Sequence, residues 1–549
     1  MTHPLPDLPF DDRHDIIKKE KLLEFFRLSP EFATVTGYHA FDDQMPHVHR
    51  EAFETEFAFI NTWLQELRRI PREQLSQDQR LDLALFEHCH ALHHFYFRDL
   101  DLWQRGPEAI TEIGQILFMT LLGQVADDET RFHNIASRLE SAPEYVREHQ
   151  SRMLPPPRRW RDIALQTTTG MLSFFDAITD AARAKASPQT AARVARGAEQ
   201  AKAEAHRYVT WLQQSPVDDR ELWVLGKDRF QELLRLRKLG MDAQEILALG
   251  EDALARYEAE RRRLAKELIG SDDIEAAQLA IQADAPPDFE TALRVTRETC
   301  EAAKTFLQQH RIVDLPGNER LDIIETPAFL RPLIPFAAIF PPARFAPVQQ
   351  GTYMVTPPAD MKQLARHLNY TAIYNTAVHE AYPGHHLQLS TANLTCSFLR
   401  SATFIGGKSA ELVEGWAHYC EELMKQHGFH DTLQGRFSMV NDLVWRATRV
   451  IIDVKLSQGE MSVEAATQLL MKKTHIPLEA AQAELNRYTH SPTYQLSYLL
   501  GKHLILDLKR AVQQKEGATF DEASFHNRLL HAGSIPVSVI RRDIFGVAA

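Results

Sequence analysis

Cysteine is scarce in this sequence, and its spacing excludes the sites that depend on it. The four cysteines stand at positions 89, 300, 396 and 420 of 549 residues, and no C-x-x-C pair occurs. A disulfide framework of the kind that stabilises small secreted domains is therefore not expected. A signal peptide is not expected either, because residues 1–7 have neither a basic start nor an apolar core. No uncharged apolar run reaches the length that crosses a bilayer, so we expect a cytoplasmic location.

Positive charge is in deficit. The chain has 62 Lys and Arg against 74 Asp and Glu, which gives a formal charge of −12 at pH 7. Such a balance disfavours nucleic acid and anionic membranes, so we expect neither as a partner. A hydrophobic content of 44% is ordinary for a globular protein, and 549 residues exceed what one core normally holds. We expect two or three lobes.

Helical periodicity extends over most of the first 313 residues. Apolar residues recur at three-four spacing in several long segments, which are residues 51–69, 77–98, 192–212 and 243–268. The breaks between such segments coincide with proline or glycine. The sequence therefore predicts an N-terminal helical lobe over residues 1–313 and a second lobe over residues 314–549.

The pattern changes between residues 327 and 358, where eight prolines occur and helical periodicity disappears. Residues 351–356, rich in β-branched and aromatic side chains, predict a short strand, and residues 321–325 are a candidate partner strand. Proline beside a strand is typical of a sheet edge. We expect a small β element over about 320–358, helices again over 361–514, and then a C-terminal helix and tail.

The most informative stretch is His-Glu-Ala-Tyr-Pro-Gly-His-His, at residues 379–386. It begins like the H-E-x-x-H motif, in which two histidines one turn apart bind zinc and the glutamate is the general base. The residue four positions after His379 is Pro383, whose ring clashes with the carbonyl of His379 and which has no N–H to donate to it. The helix, expected to start near Leu364, must therefore kink or bulge between Glu380 and Gly384.

This distortion decides which histidine is the second ligand. On an unbroken helix, His386 would face the same way as His379, about 10.5 Å along the axis. If two residues are absorbed in a bulge, His385 takes the place of the second ligand, and we favour it. The alternative is a polar cluster at a kinked helix end. We expect His386 to point to another carboxylate, such as Glu411 or Glu421.

A second stretch, residues 411–423, offers a third ligand. Four polar groups share one helix face by their spacing, and they are Glu411, Glu414, His418 and Glu421. Catalytic zinc often takes two histidines and one glutamate and keeps its fourth position for water. We select Glu414 as that glutamate and expect the other three around the site. The alternative is an acidic stripe that faces solvent.

Together, His-Glu-x-x-Pro-Gly-His-His and Glu-Gly-Trp-Ala-x-Tyr-x-Glu-x-Leu resemble a large bacterial family catalogued as a domain of unknown function. The sequence is similar to helical zinc metallopeptidases of the gluzincin type, including the thermostable carboxypeptidase and thimet oligopeptidase groups. The resemblance implies a peptidase-like hydrolase. The relatives carry Gly-His where this chain has Gly384-His385, which supports the bulge.

The resemblance continues through Arg446-x-x-Arg449 to Asp453 and through Arg487-Tyr488 to Tyr498. The family often has a histidine shortly after the aspartate, and Ser457 stands there instead. In gluzincins an edge strand beside the zinc helix pairs with substrate, so the resemblance makes the strand around Tyr353 a candidate; an ordinary connecting hairpin is the alternative.

Further candidates are cationic or aromatic. Arg446, Arg449 and Arg487, with the neighbouring Tyr488, are candidates for binding a substrate carboxylate through bidentate contacts, or the arginines pair with the acidic helix. Tyr494 and Tyr498 are candidates for an oxyanion donor, of which we select Tyr498, although both also suit buried packing. An N-terminal cluster of Glu87, His90 and His94 suits packing better than a metal, because no second Glu-x-x-His unit lies near it.

The sequence therefore predicts a mainly α, elongated multi-helix fold of metallopeptidase type, with a β element beside the zinc helix and a cleft between lobes. The predicted function is hydrolysis of a peptide or small amide by Zn²⁺ on His379, His385 and Glu414, with Glu380 as the base. A zinc hydrolase of esters or N-acyl amino acids and a non-catalytic helical binding protein are the alternatives.

Overall fold

The computed structural model describes residues 6–548 except residue 14 and residues 124–126, 328–329, 332–333, 335 and 402–408. Helix makes up 71% of the chain and strand 4%. The predictions of a mainly α fold and of a small β element are thus confirmed. Within the described residues, no helix is both long enough and apolar enough to span a bilayer.

The chain forms two compact units. The first comprises residues 1–222 with residues 327–335 and 343–347, and the second comprises residues 223–326, 336–342 and 348–549. The division near Leu222 differs from the expected boundary at residue 313. Two long helices before residue 313 pack against C-terminal helices of the second unit, a long-range contact that local periodicity does not reveal. The elongated shape and the inter-lobe cleft stay predictions.

The first unit is a helical stack. Its helices, numbered along the chain, are α1 (Lys19–Leu28), α2 (Pro30–Thr36), α3 (Arg50–Arg68), α4 (Gln77–His94), α5 (Ala109–Leu122), α6 (Asp128–Arg152), α7 (Arg158–Lys185) and α8 (Pro188–Gln214). Helix α8 packs against α6 and α7. The periodic segments 51–69 and 192–212 correspond to α3 and α8. The segment 77–98 ends as a helix at His94 and continues in a π-helical turn, Phe95–Leu100.

The second unit begins with four helices and a sheet. These elements are α9 (Gly226–Leu236), α10 (Ala243–Ile269), α11 (Ile274–Gln282), α12 (Phe289–His310), β1 (Glu319–Glu325), β2 (Ala337–Phe340) and β3 (Gln349–Val355). Local sequence signals set the ends of α10. The side chains of Asp242 and Glu245 bond each other's backbone N–H at the start, and Gly270 ends the helix with a φ of 76°.

The remaining elements are helices. They are α13 (Met361–His367), α14 (Tyr370–Glu380), α15 (His385–Thr395), α16 (Phe398–Ser401), α17 (Ala410–Gln426), α18 (Leu433–Gln458), α19 (Val463–Thr474), α20 (Leu478–His490), α21 (Ser497–Glu516), α22 (Glu522–His531) and α23 (Val537–Val539). Helix α10 packs along α18, α12 along α14, and α17 along α21. The helix that carries His379 starts at Tyr370, not near Leu364, because Asn369 caps it with a bond from the N–H of Ala372.

The sheet has the order β1-β3-β2, with β1 parallel and β2 antiparallel to β3. Strand β3 is therefore central, and its prediction as an edge strand was wrong. Tyr353 pairs with Ile323 on one side and with Ile339 on the other. The sequence analysis missed β2, a four-residue strand with no alternating pattern in the proline-rich stretch. The predicted partner strand at residues 321–325 is confirmed as part of β1.

Two helices of the site approach each other at glycines. A Cβ added to Gly415 of α17 would lie 2.3 Å from the carbonyl carbon of Gly501 of α21, and one added to Gly501 would lie 1.8 Å from the carbonyl oxygen of Glu411. No L side chain fits either position without moving backbone. The close approach brings the residues before and along α21 against the face of α17 that carries Glu414.

Candidate metal centre

The helix breaks at the predicted place. Helix α14 ends at Glu380 and α15 begins at His385, with the cis Tyr382–Pro383 peptide between them. The N–H of Gly384 bonds the carbonyl oxygen of Val378 at 3.0 Å, which bridges the break. A Cβ at Gly384 would lie 1.8 Å from the carbonyl oxygen of His379. The residue after the proline must therefore be glycine for the chain to pass so close to the preceding helix.

The break brings three ligand candidates together. One ligand atom from each of His379, His385 and Glu414 lies within 4.8 Å of the others. Glu414 Oε2 is 3.9 Å from His379 Nε2 and 3.5 Å from His385 Nε2. Only 10–13% of each side chain is exposed. The two histidines meet across a break in the helix, as the proline position indicated, and Glu414 approaches from α17.

A carboxylate orients the first histidine. His379 Nδ1 is 2.7 Å from Glu421 Oε1, so the Nδ1–H donates to the carboxylate, and Nε2 is the ring nitrogen that faces Glu414. Burial lowers the pKa of His379, but the hydrogen bond to Glu421 and the surrounding carboxylates outweigh it and raise this pKa to about 9. Histidine ligands in metalloproteins usually donate their second ring N–H to such a group. Glu421 thus occupies the expected place beside the ligands.

His418 lies beside this pair. Its Nδ1 is 3.2 Å from Glu421 Oε1, and its Nε2 accepts a 3.0 Å hydrogen bond from Arg446 Nε. Burial lowers the pKa of His418 to about 4, so this imidazole is neutral. The rings of His418 and His379 are 4.9 Å apart. His418, Glu421 and His379 form a second group of mutually close ligand atoms.

His386 lies away from the ligand cluster. Its Nε2 is 2.7 Å from Glu319 Oε2 of β1, a carboxylate that also accepts bonds from the hydroxyl of Tyr382 and the ammonium of Lys304. The expectation that His386 points to Glu411 or Glu421 was therefore wrong. Glu319 is 67 positions from His386, and nothing in the local sequence marks it as a partner. Its network attaches the helix break to β1 and α12.

Glu411 is also separate from the centre. It is buried and pairs with Arg237 Nη2 at 2.9 Å. The four residues predicted to share one face of α17 thus have two different surroundings. Glu411 is in an ion pair, whereas Glu414, His418 and Glu421 lie at the candidate metal centre. The alternative of a solvent-facing stripe is excluded, since Glu411, His418 and Glu421 are all buried.

The third candidate ligand, Glu414, is held from the turn before α21. The Tyr494 hydroxyl donates to Glu414 Oε1 at 2.8 Å. Asp453 of α18 accepts the backbone N–H of Thr493 at 2.9 Å and that of Leu496 at 3.1 Å, and so fixes the turn that carries Tyr494. Ser457, which stands where the related family often has histidine, lies with its Oγ 3.4 Å from Asp453 Oδ1. Sequence reasoning noted Asp453 but did not indicate its capping role.

Tyr498, selected from the sequence, packs near His418 with ring centroids 5.7 Å apart, under the guanidinium groups of Arg446 and Arg449. Tyr494 is the tyrosine bonded to the candidate ligand. The role of Tyr498 as an oxyanion donor stays a prediction.

Glu380 is next to the candidate ligand His379 in the chain, and its carboxylate is unpaired in the described ranges. Its side chain is partly exposed, and within the described part of the chain it makes no hydrogen bond or ion pair. Its charge helps to raise the pKa of Tyr353 well above the usual range, although burial is the larger cause. Tyr353 is buried on β3 and lies near the predicted base. A carboxylate next to His379 in the chain, with no bonding partner among the described residues, is able to accept a proton.

The predicted arginines differ in their surroundings. Arg449 is buried and bonds Glu484 Oε2 at 2.6 Å and the hydroxyl of Tyr488 at 2.8 Å. Arg487 is exposed and bonds the same carboxylate at 3.0 Å. Both therefore pair with α20 and not with the acidic face of α17. Among the described residues, the side-chain hydrogen bond of Arg446 is to His418 alone. Binding of substrate by these residues stays a prediction.

Two other clusters bear on metal binding. Glu87, His90 and His94 do not form a candidate metal group within the described residues; Glu87 accepts from Arg68, and His90 and His94 pack near Phe57. His47, His49 and Glu148 of the first unit do lie together, a grouping that the sequence analysis missed. There, however, His49 Nδ1 caps α3 by accepting from Ala52, and His47 Nδ1 bonds Glu148.

The residues at the break fit zinc. Ligand atoms held tetrahedrally at about 2.0–2.1 Å from one zinc ion lie roughly 3.3–3.4 Å from each other. The separations of 3.5 and 3.9 Å from Glu414 to the two imidazole nitrogens are close to this spacing. Two imidazoles with three carboxylates, Glu380, Glu414 and Glu421, also form a donor set with surplus negative charge, which a divalent cation neutralises.

Two solved structures have the same fold over nearly the whole chain. One, provisionally described as a lipoprotein of unknown function from Shewanella oneidensis, is 21% identical with a TM-score of 0.76, and the match covers 95% of this chain and 98% of that one. The other, provisionally described as a lipoprotein from Colwellia psychrerythraea, is 17% identical with a TM-score of 0.80 and coverages of 96% and 97%. Among curated proteins, no match was found.

A family model described as a bacterial protein of unknown function, DUF885, matches residues 30–544. This range includes the helix break, the acidic face of α17 and the turn that carries Tyr494. The chain therefore belongs to the DUF885 family.

Proposed function

We propose that this protein is a zinc-dependent hydrolase of peptide or amide bonds, similar in its site to gluzincin metallopeptidases. The observation that carries the proposal is the meeting of His379, His385 and Glu414 across a helix break that the sequence itself requires. Bound zinc acts as a Lewis acid that polarises a carbonyl group and acidifies water. A site for metal storage alone has no need of an unpaired carboxylate beside the ligands, and Glu380 is one.

The chain's own groups have distinct roles in this proposal. Glu380 takes a proton from water on its carboxylate and passes it to the leaving nitrogen. Glu421 keeps the proton of His379 on Nδ1, so that the lone pair of Nε2 is available to bind a metal. The Tyr494 hydroxyl occupies one oxygen of Glu414, which leaves the other oxygen directed at the imidazoles.

The order of the strands changes which strand we propose to pair with substrate. Because β3 is central, its backbone groups are already bonded to β1 and β2. The two edges of the sheet belong to β1 and β2, so an extended peptide would add to one of these as a further strand. Tyr353 remains close to Glu380 and is proposed to line the substrate site from β3.

The first experiment is metal analysis of protein purified without chelators, followed by cleavage of a peptide library. We expect about one zinc per chain and cleavage of peptides. Parallel profiling of esters and N-acyl amino acids separates a peptidase from the other class of zinc hydrolase. A chain without bound metal and without hydrolytic activity would instead be the helical binding protein.

Glu380→Gln is the sharpest single test of the chemistry. It removes the proton acceptor and keeps the shape, so we expect turnover to fall by about 100-fold or more while zinc content stays near that of the unaltered protein. Full activity in this variant would exclude Glu380 as the base. Loss of zinc in the variant would assign Glu380 to metal binding.

The cellular compartment is also open to a direct measurement. The sequence predicts the cytoplasm, whereas the two structural neighbours carry a lipoprotein designation. We propose the cytoplasm, and fractionation of producing cells into cytoplasmic, periplasmic and membrane fractions tests it.

A further inference from the structure

Two residues of opposite charge lie one turn apart on α18 beside the candidate metal centre. Burial raises the pKa of Asp442 to about 6, and the charges of Arg446, Glu421 and His379 also act on this carboxyl. Arg446 is in turn hydrogen-bonded to His418. Asp442 and Arg446 are both partly exposed. Neither is a candidate metal ligand, and the motifs that identified the centre do not include Asp442.

Neither charge is part of an ion pair among the described residues. The i, i+4 spacing would permit one between the two, but their charged atoms do not come within ion-pair distance, and the hydrogen bond of Arg446 goes to the neutral His418. The contrast with Arg449 and Arg487 is direct, because both of those share Glu484. An unpaired carboxylate and an unpaired guanidinium in a partly buried place carry a desolvation cost, which suits a ligand that supplies the missing charges.

The geometry of Arg446 suits a carboxylate. Its single bond to His418 uses Nε, which leaves the two terminal nitrogens Nη1 and Nη2 for a bidentate contact. The guanidinium carbon lies 5.3 Å from the ring centre of Tyr498 and 5.4 Å from that of Trp445. These rings limit the positions that the guanidinium group adopts. Asp442, a short carboxylate, is the complementary site for an ammonium group.

We propose that Asp442 and Arg446 bind the two charged ends of a short zwitterionic peptide, Asp442 the free α-ammonium and Arg446 the free α-carboxylate. The preferred substrate class is then the unblocked dipeptide. This inference rests on the proposed hydrolase function. Four residues advance about 6 Å along a helix axis, and an extended dipeptide spans about 7 Å, so one dipeptide is able to reach both side chains.

The reaction on such a substrate is a hydrolysis. Water adds its oxygen to the acyl carbon, the C–N bond breaks, one proton goes to the leaving nitrogen, and two free amino acids result. No oxidant, reductant or further co-reactant is needed. A longer peptide engages only one of the two charged side chains with a terminal charge.

The test compares a library of unblocked dipeptides with its N-acetylated and C-amidated counterparts. Hydrogen bonds to charged groups are strong enough that each block is expected to lower kcat/KM by about 10- to 100-fold. The same three libraries are titrated into zinc-loaded Glu380→Gln protein, where binding is measured without cleavage. Unblocked dipeptides are expected to bind at least tenfold more tightly than either blocked set.

Two variants test which side chain binds which end of the dipeptide. Asp442→Asn should abolish the fall in kcat/KM that N-acetylation causes and keep the fall that C-amidation causes. Arg446→Gln should have the opposite effect. Arg446→Lys keeps the charge and should retain part of the preference for a free carboxylate. Arg436→Gln, an exposed position of α18 paired with Asp431, is the matched control and should change neither ratio. Circular dichroism checks that each variant is folded.

The outcomes separate the two proposals. Equal cleavage of free and blocked peptides, or penalties that are the same in both variants, would overturn the dipeptide inference and leave the hydrolase standing. Selective binding of unblocked dipeptides without any cleavage would support recognition and reject hydrolysis. Absence of both cleavage and selective binding would reject both.

Discussion

At the scale of single residues, the two adjacent histidines of α15 have unlike surroundings. His385 faces Glu414, and His386 is fully buried against Glu319 and the backbone of Gly351, where an added Cβ would lie 2.5 Å from His386 Nδ1. One adjacent histidine is thus a candidate ligand and the other is part of the packed interior.

This difference gives a prediction for zinc binding. His385→Ala should lose zinc, whereas His386→Ala should retain about one zinc per chain. In His386→Ala the free energy of unfolding should fall by about 1–3 kcal/mol, because Glu319 loses one of its three bonds and a buried side chain is removed. Metal analysis and chemical denaturation measure the two effects separately. Zinc retained in His385→Ala and lost in His386→Ala would reverse the assignment.

Gly384 permits a second test at this scale. Gly384→Ala places a methyl group 1.8 Å from the carbonyl oxygen of His379, so the break must open and the two histidines separate. We expect zinc affinity to fall by about 10- to 100-fold, as for other disturbances of ligand orientation. Gly170→Ala is the control, because its added methyl meets nothing within 4 Å. Equal zinc affinity in both variants would contradict the role of Gly384.

The grouping of His379, His385 and Glu414 was predictable from the sequence because proline cannot continue a regular helix. Pro383 excludes the straight helix and with it the alignment of His379 and His386, and the helix breaks there. The partner of His386 was not predictable, since Glu319 is distant in the chain and belongs to a strand with weak alternation. Asp442 was missed because an unpaired charge is visible only when its neighbours are known.

At the scale of elements, α17 and α21 cross at close range where Gly415 meets Gly501. Gly501→Ala would push a methyl group into the backbone of Glu411, and both helices would have to separate. We expect the free energy of unfolding to fall by about 1–3 kcal/mol or more, the range for overpacked interiors. Denaturant unfolding of this variant and of Gly170→Ala checks it. In the control, alanine in an exposed helix should stabilise by about 0.5–1 kcal/mol. Equal stability of the two variants would contradict the tight crossing.

The positions of long helices were predictable, and the sheet order was not. Helices α8 and α10 carry strong apolar periodicity and proline or glycine at their ends, so local sequence defines them. Strand β2 is short and partly exposed. It takes its structure from pairing with β3, a long-range contact that no window of the sequence contains.

At the scale of the whole molecule, zinc should protect one unit and leave the other unaffected. All three candidate ligands lie in the second unit. A ligand at a thousand times its Kd stabilises the state that binds it by about 4 kcal/mol. Hydrogen exchange should therefore slow in residues 370–395 when zinc is added after chelation, and should stay unchanged in α6–α8. The same experiment on His385→Ala should show no slowing. Unchanged exchange in residues 370–395 would speak against a metal at this place.

The two units are interleaved in the chain. The backbone passes from one unit to the other at five places, which are 222–223, 326–327, 335–336, 342–343 and 347–348. Phe345 packs against Phe10 and Phe26 of the first unit, so that unit gains its last aromatic contact only after residue 345 has been synthesised. A ribosome that has made the first 222 residues has thus not yet made a complete domain. For the same reason, no single cut or gene fusion point separates the helical unit from the metal-site unit, and transplanting either one requires grafting three segments at once.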